Sequence, residues 1–175
     1  MWDGQTLLHQ VVHTMLQVCK SVVVVGPAQE LPADLRDRVQ WVANPDPNLH
    51  PLHGVAALLD SNLDSSYLIA TCDQPFLTIP LLHELIEGNP SRPHLFLVPK
   101  GISFHPFPGY YPATLLETVK QILSAAQPSI REIFRHHPPL WVSLSESEEN
   151  HLLRVNPPAQ LEKLQHLAGH NSVSY

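Results

Sequence analysis

The stretch Tyr67-Leu68-Ile69-Ala70-Thr71-Cys72-Asp73-Gln74-Pro75-Phe76-Leu77 decides how the rest of the chain is read. Its apolar start reads as a buried strand that delivers one carboxylate, Asp73, and then stops at Pro75. In open α/β sheets ligands gather beyond the carboxyl ends of the strands, so chemistry is expected at Asp73. A carboxylate there can hold a magnesium ion, the usual companion of phosphate oxygens. Asp73 reads equally as a cap for the helix beginning near Thr78, and the sequence leaves both roles open.

Working outward, Leu7, Leu8, Val11, Val12, Met15, Leu16 and Cys19 recur at helical spacing and predict an amphipathic helix. Ser21 to Gly26 is a β-branched run typical of a strand covered on both faces, and Val39 to Ala43 a second, short strand. Pro45, Pro47 and Pro51 bar a helix from Asn44 to Pro51, after which Leu52 to Leu63 reads as one. Beyond Asp73, a helix over Ile79 to Glu87 and a strand over His94 to Val98 continue the alternation. That pattern predicts an α/β fold, a three-layer, doubly wound, mostly parallel sheet.

From Gly101 the pattern changes. Phe104 to Tyr111 reads as loop and extended chain, with helices over Pro112 to Ala126 and Ser129 to Arg135. Strands are expected at Leu140 to Leu144 and His151 to Val155, then a closing helix over Pro158 to Leu167. Residues 1–169 read as a single domain and 170–175 as a frayed tail.

A length of 175 residues suits one domain with a continuous core. Hydrophobic residues make up 43% and charged residues 15%, so most of the chain is expected to fold rather than stay solvated. A net charge of −6 without any basic run argues against nucleic acid and anionic membrane surfaces as partners. No apolar stretch reaches membrane-spanning length, and a cytoplasmic location is expected. Cys19 and Cys72 lie in unrelated apolar contexts, which suggests packing in a reducing compartment.

Several segments together resemble the molybdenum cofactor guanylyltransferase family and its nucleotidyltransferase relatives. Thr71 to Leu77 matches the family's Cys-Asp-x-Pro-Phe-Leu element. Asp3-Gly4-Gln5-Thr6-Leu7-Leu8 is similar to the segment after its catalytic lysine, and Asn44 to Gly54 to its Asp-Pro…Gly-Pro-Leu…Gly loop. His105-Pro106-Phe107-Pro108-Gly109-Tyr110-Tyr111, Ser129-Ile130-Arg131 and Val155-Asn156-Pro157-Pro158 resemble three further family segments. The resemblance implies a fold of the nucleotide-diphospho-sugar transferase type and transfer of GMP from GTP to molybdopterin. It implies Mg2+ as cofactor and Asp73 as metal ligand and catalytic residue. It also implies Asn44, Pro51, Leu52, Gly54 and Asp73 around the nucleotide, and His105, Arg131 and Asn156 toward the acceptor. Molybdoenzymes or their chaperones are the macromolecular partners it suggests.

The chain also departs from that family. The strand, glycine-rich loop and lysine with which the family opens are missing before Asp3. The resemblance puts that first strand mid-sheet, between Ser21–Gly26 and the strand leading to Asp73. A start codon set too late, a true truncation and a strand donated by a partner chain are the open explanations. Asn44 stands for an Asp, His50 for a Gly and Arg154 for an Asn. These departures keep alive a non-catalytic nucleotide- or pterin-binding escort on the same scaffold, or a sibling enzyme with another acceptor. A zinc site from His50, His53 and His105 is opposed by Pro51 between the first two and by the lack of a completing Cys or Glu. Cys72 and Ser129 have no base beside them in sequence to make either a nucleophile.

Overall fold

The computed structural model describes residues 6–27, 31–44, 50–87, 91–97 and 104–155. The apolar stripe near the start forms α1 (Leu7–Val18), which buries Val11, Val12 and Met15. The valine run becomes β1 (Val23–Val25), paired in parallel with β2 (Gln40–Val42). Next comes α2 (Pro51–Asp60), with its proline at the first position, where no N–H is needed. It starts past the carboxyl end of β2 and runs back, so β3 (Ser66–Ile69) sets out in the same direction as β1.

After α3 (Ile79–Ile86) come β4 (His94–Leu97) and the long β5 (Phe104–Pro112). Then follow α4 (Leu116–Leu123), α5 (Ile133–His136), β6 (Leu140–Ser143) and α6 (Glu146–Glu149). The larger sheet is four-stranded with order β3-β5-β4-β6. In it β4 and β6 are parallel, while β5 runs antiparallel to both β3 and β4. Only β5 opposes the common strand direction among the described residues, so the sheet is mostly parallel.

Two cores cover this layer. One joins α1 and α3 to Val24, Leu68, Phe96 and Leu152; the other joins α2 and α4 to Val23, Val25, Ile69 and Tyr111. Side chains of β1 and β3 therefore alternate between the same two cores, as neighbours in one sheet would. Yet β1 and β3 share no ladder, and the described strands form two separate sheets. Among the described residues a seam runs between them.

The strand before Asp73 ends at Ile69, so Asp73 rides on a turn beyond it rather than on the strand itself. Phe104 to Tyr111, expected as loop and extended chain, lies within a strand of 9 residues. The prolines suggested otherwise, but the ladder to β4 jumps from Gly109 to His105 across consecutive partners Leu95 and Phe96. Pro106 and Pro108 thus sit in a bulge where no N–H is required. The strand expected at 151–155 is absent: a capping box of Ser145 and Glu148 nucleates α6, and the chain continues as a 3-10 turn over Asn150–Leu152. Leu152 and Val155, three apart, are the buried residues there. The expected closing helix over 158–167 and the tail at 170–175 lie outside the described residues.

Candidate functional site at the carboxyl ends of the strands

The turn after β3 is held by its own side chains. Thr71 Oγ1–H donates to Asp73 Oδ1 at 2.5 Å, and no other partner for this carboxylate exists among the described residues. Asp73 is partly exposed. Its backbone carbonyl accepts from Val155 N–H at 2.7 Å, fastening the turn to the segment after the 3-10 turn. Asp73 does not cap α3, whose N-cap is Thr78.

Gln74, fully buried, lies at the middle of this arrangement. Its Oε1 accepts from Thr71 N–H at 3.3 Å and lies 2.9 Å from Thr71 Oγ1, whose single proton Asp73 Oδ1 takes at the shorter distance. Its Nε2 donates to Phe107 O at 3.0 Å and to Leu152 O at 3.4 Å. A backbone N–H on one side and two carbonyls on the other fix which end of the amide is which. Each of these buried groups would cost about 1–3 kcal/mol if left unpaired. Sequence reasoning gave Gln74 no role; a lone amide between Asp73 and Pro75 at the end of an apolar strand was the available signal.

Across the seam, Asn44 follows β2 and meets the first turn of α2. A Cβ on Gly54 would lie 3.7 Å from Asn44 Nδ2 and 3.8 Å from Val25 Cγ1, so Gly54 faces the end of β1. Pro51 is exposed at the start of α2, whereas the Leu52 side chain is fully buried in the core, leaving only its backbone to the site. The Leu52 N–H donates to His50 Nδ1 at 3.3 Å, making His50 the N-cap of α2. The His50 and His53 rings meet edge-on, with centroids 6.3 Å apart. Among the described residues no three His, Cys, Asp or Glu side chains cluster as metal ligands.

His105 and Arg131 stand on opposite faces of the sheet. His105 pairs with Phe96 on the α1–α3 side, its Nε2 buried without a hydrogen bond and 3.8 Å from Glu149 Oε1. That is an ion-pair distance, too long for a hydrogen bond. Burial pushes the His105 imidazole below its ordinary value, Glu149 pulls it back up, and Arg154 adds to the downward shift. Phe104, the preceding residue, turns to the other face, where the Arg131 guanidinium lies 4.4 Å from its ring centroid. Asn156 lies outside the described residues. Of the two expected acceptor residues that are described, His105 stands on the side of the Asp73 turn, two residues before the Phe107 carbonyl that Gln74 grips, and Arg131 does not. Cys72, expected to pack, is exposed, and no disulfide joins it to Cys19.

A mostly parallel layer carrying a polar turn at its carboxyl ends is the fold of nucleotidyltransferases of the nucleotide-diphospho-sugar transferase type. The chain belongs to the MobA-like NTP transferase domain family, whose model matches residues 1–140. It is 22% identical over 166 residues to a probable molybdenum cofactor guanylyltransferase of Flavobacterium johnsoniae, covering 94% of this chain and 85% of that one. Molybdopterin-guanine dinucleotide biosynthesis protein A from Archaeoglobus fulgidus superposes with a TM-score of 0.75 at 16% identity, over 97% of this chain and 89% of that chain. The 2-C-methyl-D-erythritol 4-phosphate cytidylyltransferase of Thermus thermophilus gives 0.70 at 15% identity, over 94% and 90%. No helix among the described residues is long and apolar enough to cross a membrane.

Proposed function

We propose that this nucleotidyltransferase moves the GMP unit of GTP onto the terminal phosphate of a molybdopterin-type acceptor. An acceptor phosphate oxygen bonds to the α-phosphorus, the bond to the bridging oxygen breaks, and pyrophosphate leaves. The observation that carries the reading is Asp73: a partly exposed carboxylate beyond the end of β3, held through one oxygen by Thr71. A single carboxylate fits magnesium, which keeps several waters and takes its other ligands from phosphates rather than from a protein cage. When bound, that ion would neutralise triphosphate charge, and Asp73 is the residue that would hold it. The Asn44–Gly54 region would border the nucleotide, and His105 would stand toward the acceptor. The relative from Flavobacterium johnsoniae supports the choice of substrates through its name.

The test is transfer of label from α-labelled GTP to molybdopterin in the presence of Mg2+, together with thermal stabilisation by Mg-GTP. Asp73→Asn is expected to lower the transfer rate on the order of a thousandfold while leaving the fold intact. Unchanged transfer in that variant would refute the role given to Asp73.

A second reading, binding without turnover, is favoured by where the two described lysines lie, Lys100 and Lys163 being outside the described residues. Lys20 precedes β1, and Lys120 pairs with Asp60 at the end of α2, 3.0 Å away. Both therefore sit at the amino ends of the strands, opposite to Asp73. Thermal stabilisation by Mg-GTP without any label transfer is the outcome that reading requires.

A further inference from the structure

We infer that Gln74 is a positioning residue that sets the affinity of the Asp73 turn for a metal–nucleotide complex. This rests on the proposed function in taking Asp73 as the metal ligand. Gln74 touches neither metal nor substrate; it acts through Thr71. By accepting from the Thr71 N–H, with its Oε1 2.9 Å from the hydroxyl oxygen, it holds Thr71 where its one hydroxyl proton is given to Asp73 Oδ1, fixing one carboxylate oxygen. With its other end it ties the turn to the bulge of β5 at Phe107 and to Leu152. Two segments distant in sequence are thereby locked, with the turn itself, to the residue preceding Pro75. The Leu152 bond works alongside the one from Val155 N–H to Asp73 O. Together they hold the segment carrying Arg154, whose charge reaches His105, against the same turn.

A side chain serving only the core would not need this pattern. Gln74 is fully buried, yet its partners are polar groups of the turn and its two neighbouring segments. Groups that hold a metal-binding carboxylate from behind usually change metal affinity when removed, as well as stability.

The experiment compares wild type with Gln74→Met, which keeps the length and removes the hydrogen bonds, with Thr71→Val, and with the double variant. Val119→Ala, a fully buried α4 residue in the other core, serves as the control for lost stability. Binding of Mg-GTP is measured by calorimetry as Mg2+ is varied, and amide exchange is followed at Thr71, Cys72 and Asp73. Gln74→Met is expected to weaken Mg-GTP binding about tenfold. Thr71→Val should add little on top of it, because the two act through one chain of bonds. Val119→Ala should melt earlier and bind as wild type does.

If Gln74→Met lowers only the melting temperature, as the control does, its role is packing and the inference fails. If wild type itself binds no Mg-GTP, the transferase reading fails instead, and amide exchange decides the positioning role. Exchange at residues 71–73 faster in Gln74→Met than in Val119→Ala upholds it; equal exchange overturns it.

Discussion

The β1–β2 sheet and the β3-β5-β4-β6 sheet face the same two cores, yet they are secured by different means. No residue of β1 or β2 is fully buried, and Trp41 is 41% exposed, anchored by its indole N–H to Gly26 O at 2.8 Å. In the larger sheet, β5 is buried from Phe107 to Pro112, and the Tyr111 hydroxyl closes its bulge by donating to Pro106 O. The turn bearing Asp73 is bonded to this firm piece at Phe107, Leu152 and Val155. Asn44 and Gly54 belong to the lighter piece across the seam. The acid that would hold the metal is thus fixed by the fold, while the residues that would border the nucleotide rest on a ladder of three residue pairs and the start of one helix.

The contrast can be broken most sharply at its glycines. A Cβ on Gly109 would meet Pro106 O at 2.7 Å, Leu95 Cδ2 at 2.8 Å and the Tyr111 ring at 2.8 Å. Backbone and packed side chains cannot all retreat, so Gly109→Ala is expected to cost about 3 kcal/mol of stability, measured by urea unfolding. A loss well under half of that would show that the larger sheet yields more than its packing suggests. Gly54, in the lighter piece, meets only ordinary contacts at 3.7 and 3.8 Å. Alanine there removes a helix glycine and should stabilise the protein by about 0.5–1 kcal/mol. If nucleotide backbone or base approaches this helix turn, the same variant should bind Mg-GTP more weakly, a gain in stability paired with a loss in binding. Amide exchange tests the contrast directly: the β1 and β2 amides are expected to exchange on the order of a hundredfold faster than those of Tyr110 and Tyr111. Equal rates would mean that the two sheets open as one unit.

Much of this arrangement was legible in the residues themselves, and the misses have physical causes. The valine run, the apolar stripe of α1 and the Thr78–Pro80 helix start carry local signals that tertiary structure left unchanged. Phe104 to Tyr111 did not read as a strand because proline argues against a ladder, and only the bulge opposite Leu95 and Phe96 reconciles the two. The segment at 151–155 looked like a strand because an apolar run was read where a cap at Ser145 governs. Asp73 stood out as a lone acid after an apolar run. Gln74 did not, since its function lies wholly in partners 33 and 78 residues away, which no local pattern encodes. His105 and Arg131 looked like one acceptor set, but alternation along β5 sends Phe104, and with it Arg131, to the opposite face from His105.

The smallest expected effect concerns His105, on the firm side of the comparison. Burial holds its imidazole below the ordinary value near 6.5, so the folded protein favours the neutral ring. As pH falls past that value, the unfolded chain takes up a proton that the folded chain still resists, and folding stability declines. The contribution is complete above the unfolded value and fades on acidification, so wild type should lose more stability between neutral and mildly acidic pH than His105→Gln does. Glu149 opposes this effect, because its carboxylate 3.8 Å away favours the charged ring. Removing that carboxylate with Glu149→Gln should drive the folded imidazole lower still and steepen the loss below neutrality, with little change at pH 8. Urea midpoints across this range decide the matter. A slope in Glu149→Gln no steeper than in wild type would mean that Glu149 does not hold the imidazole up, and that solvent screens the pair despite the buried Nε2.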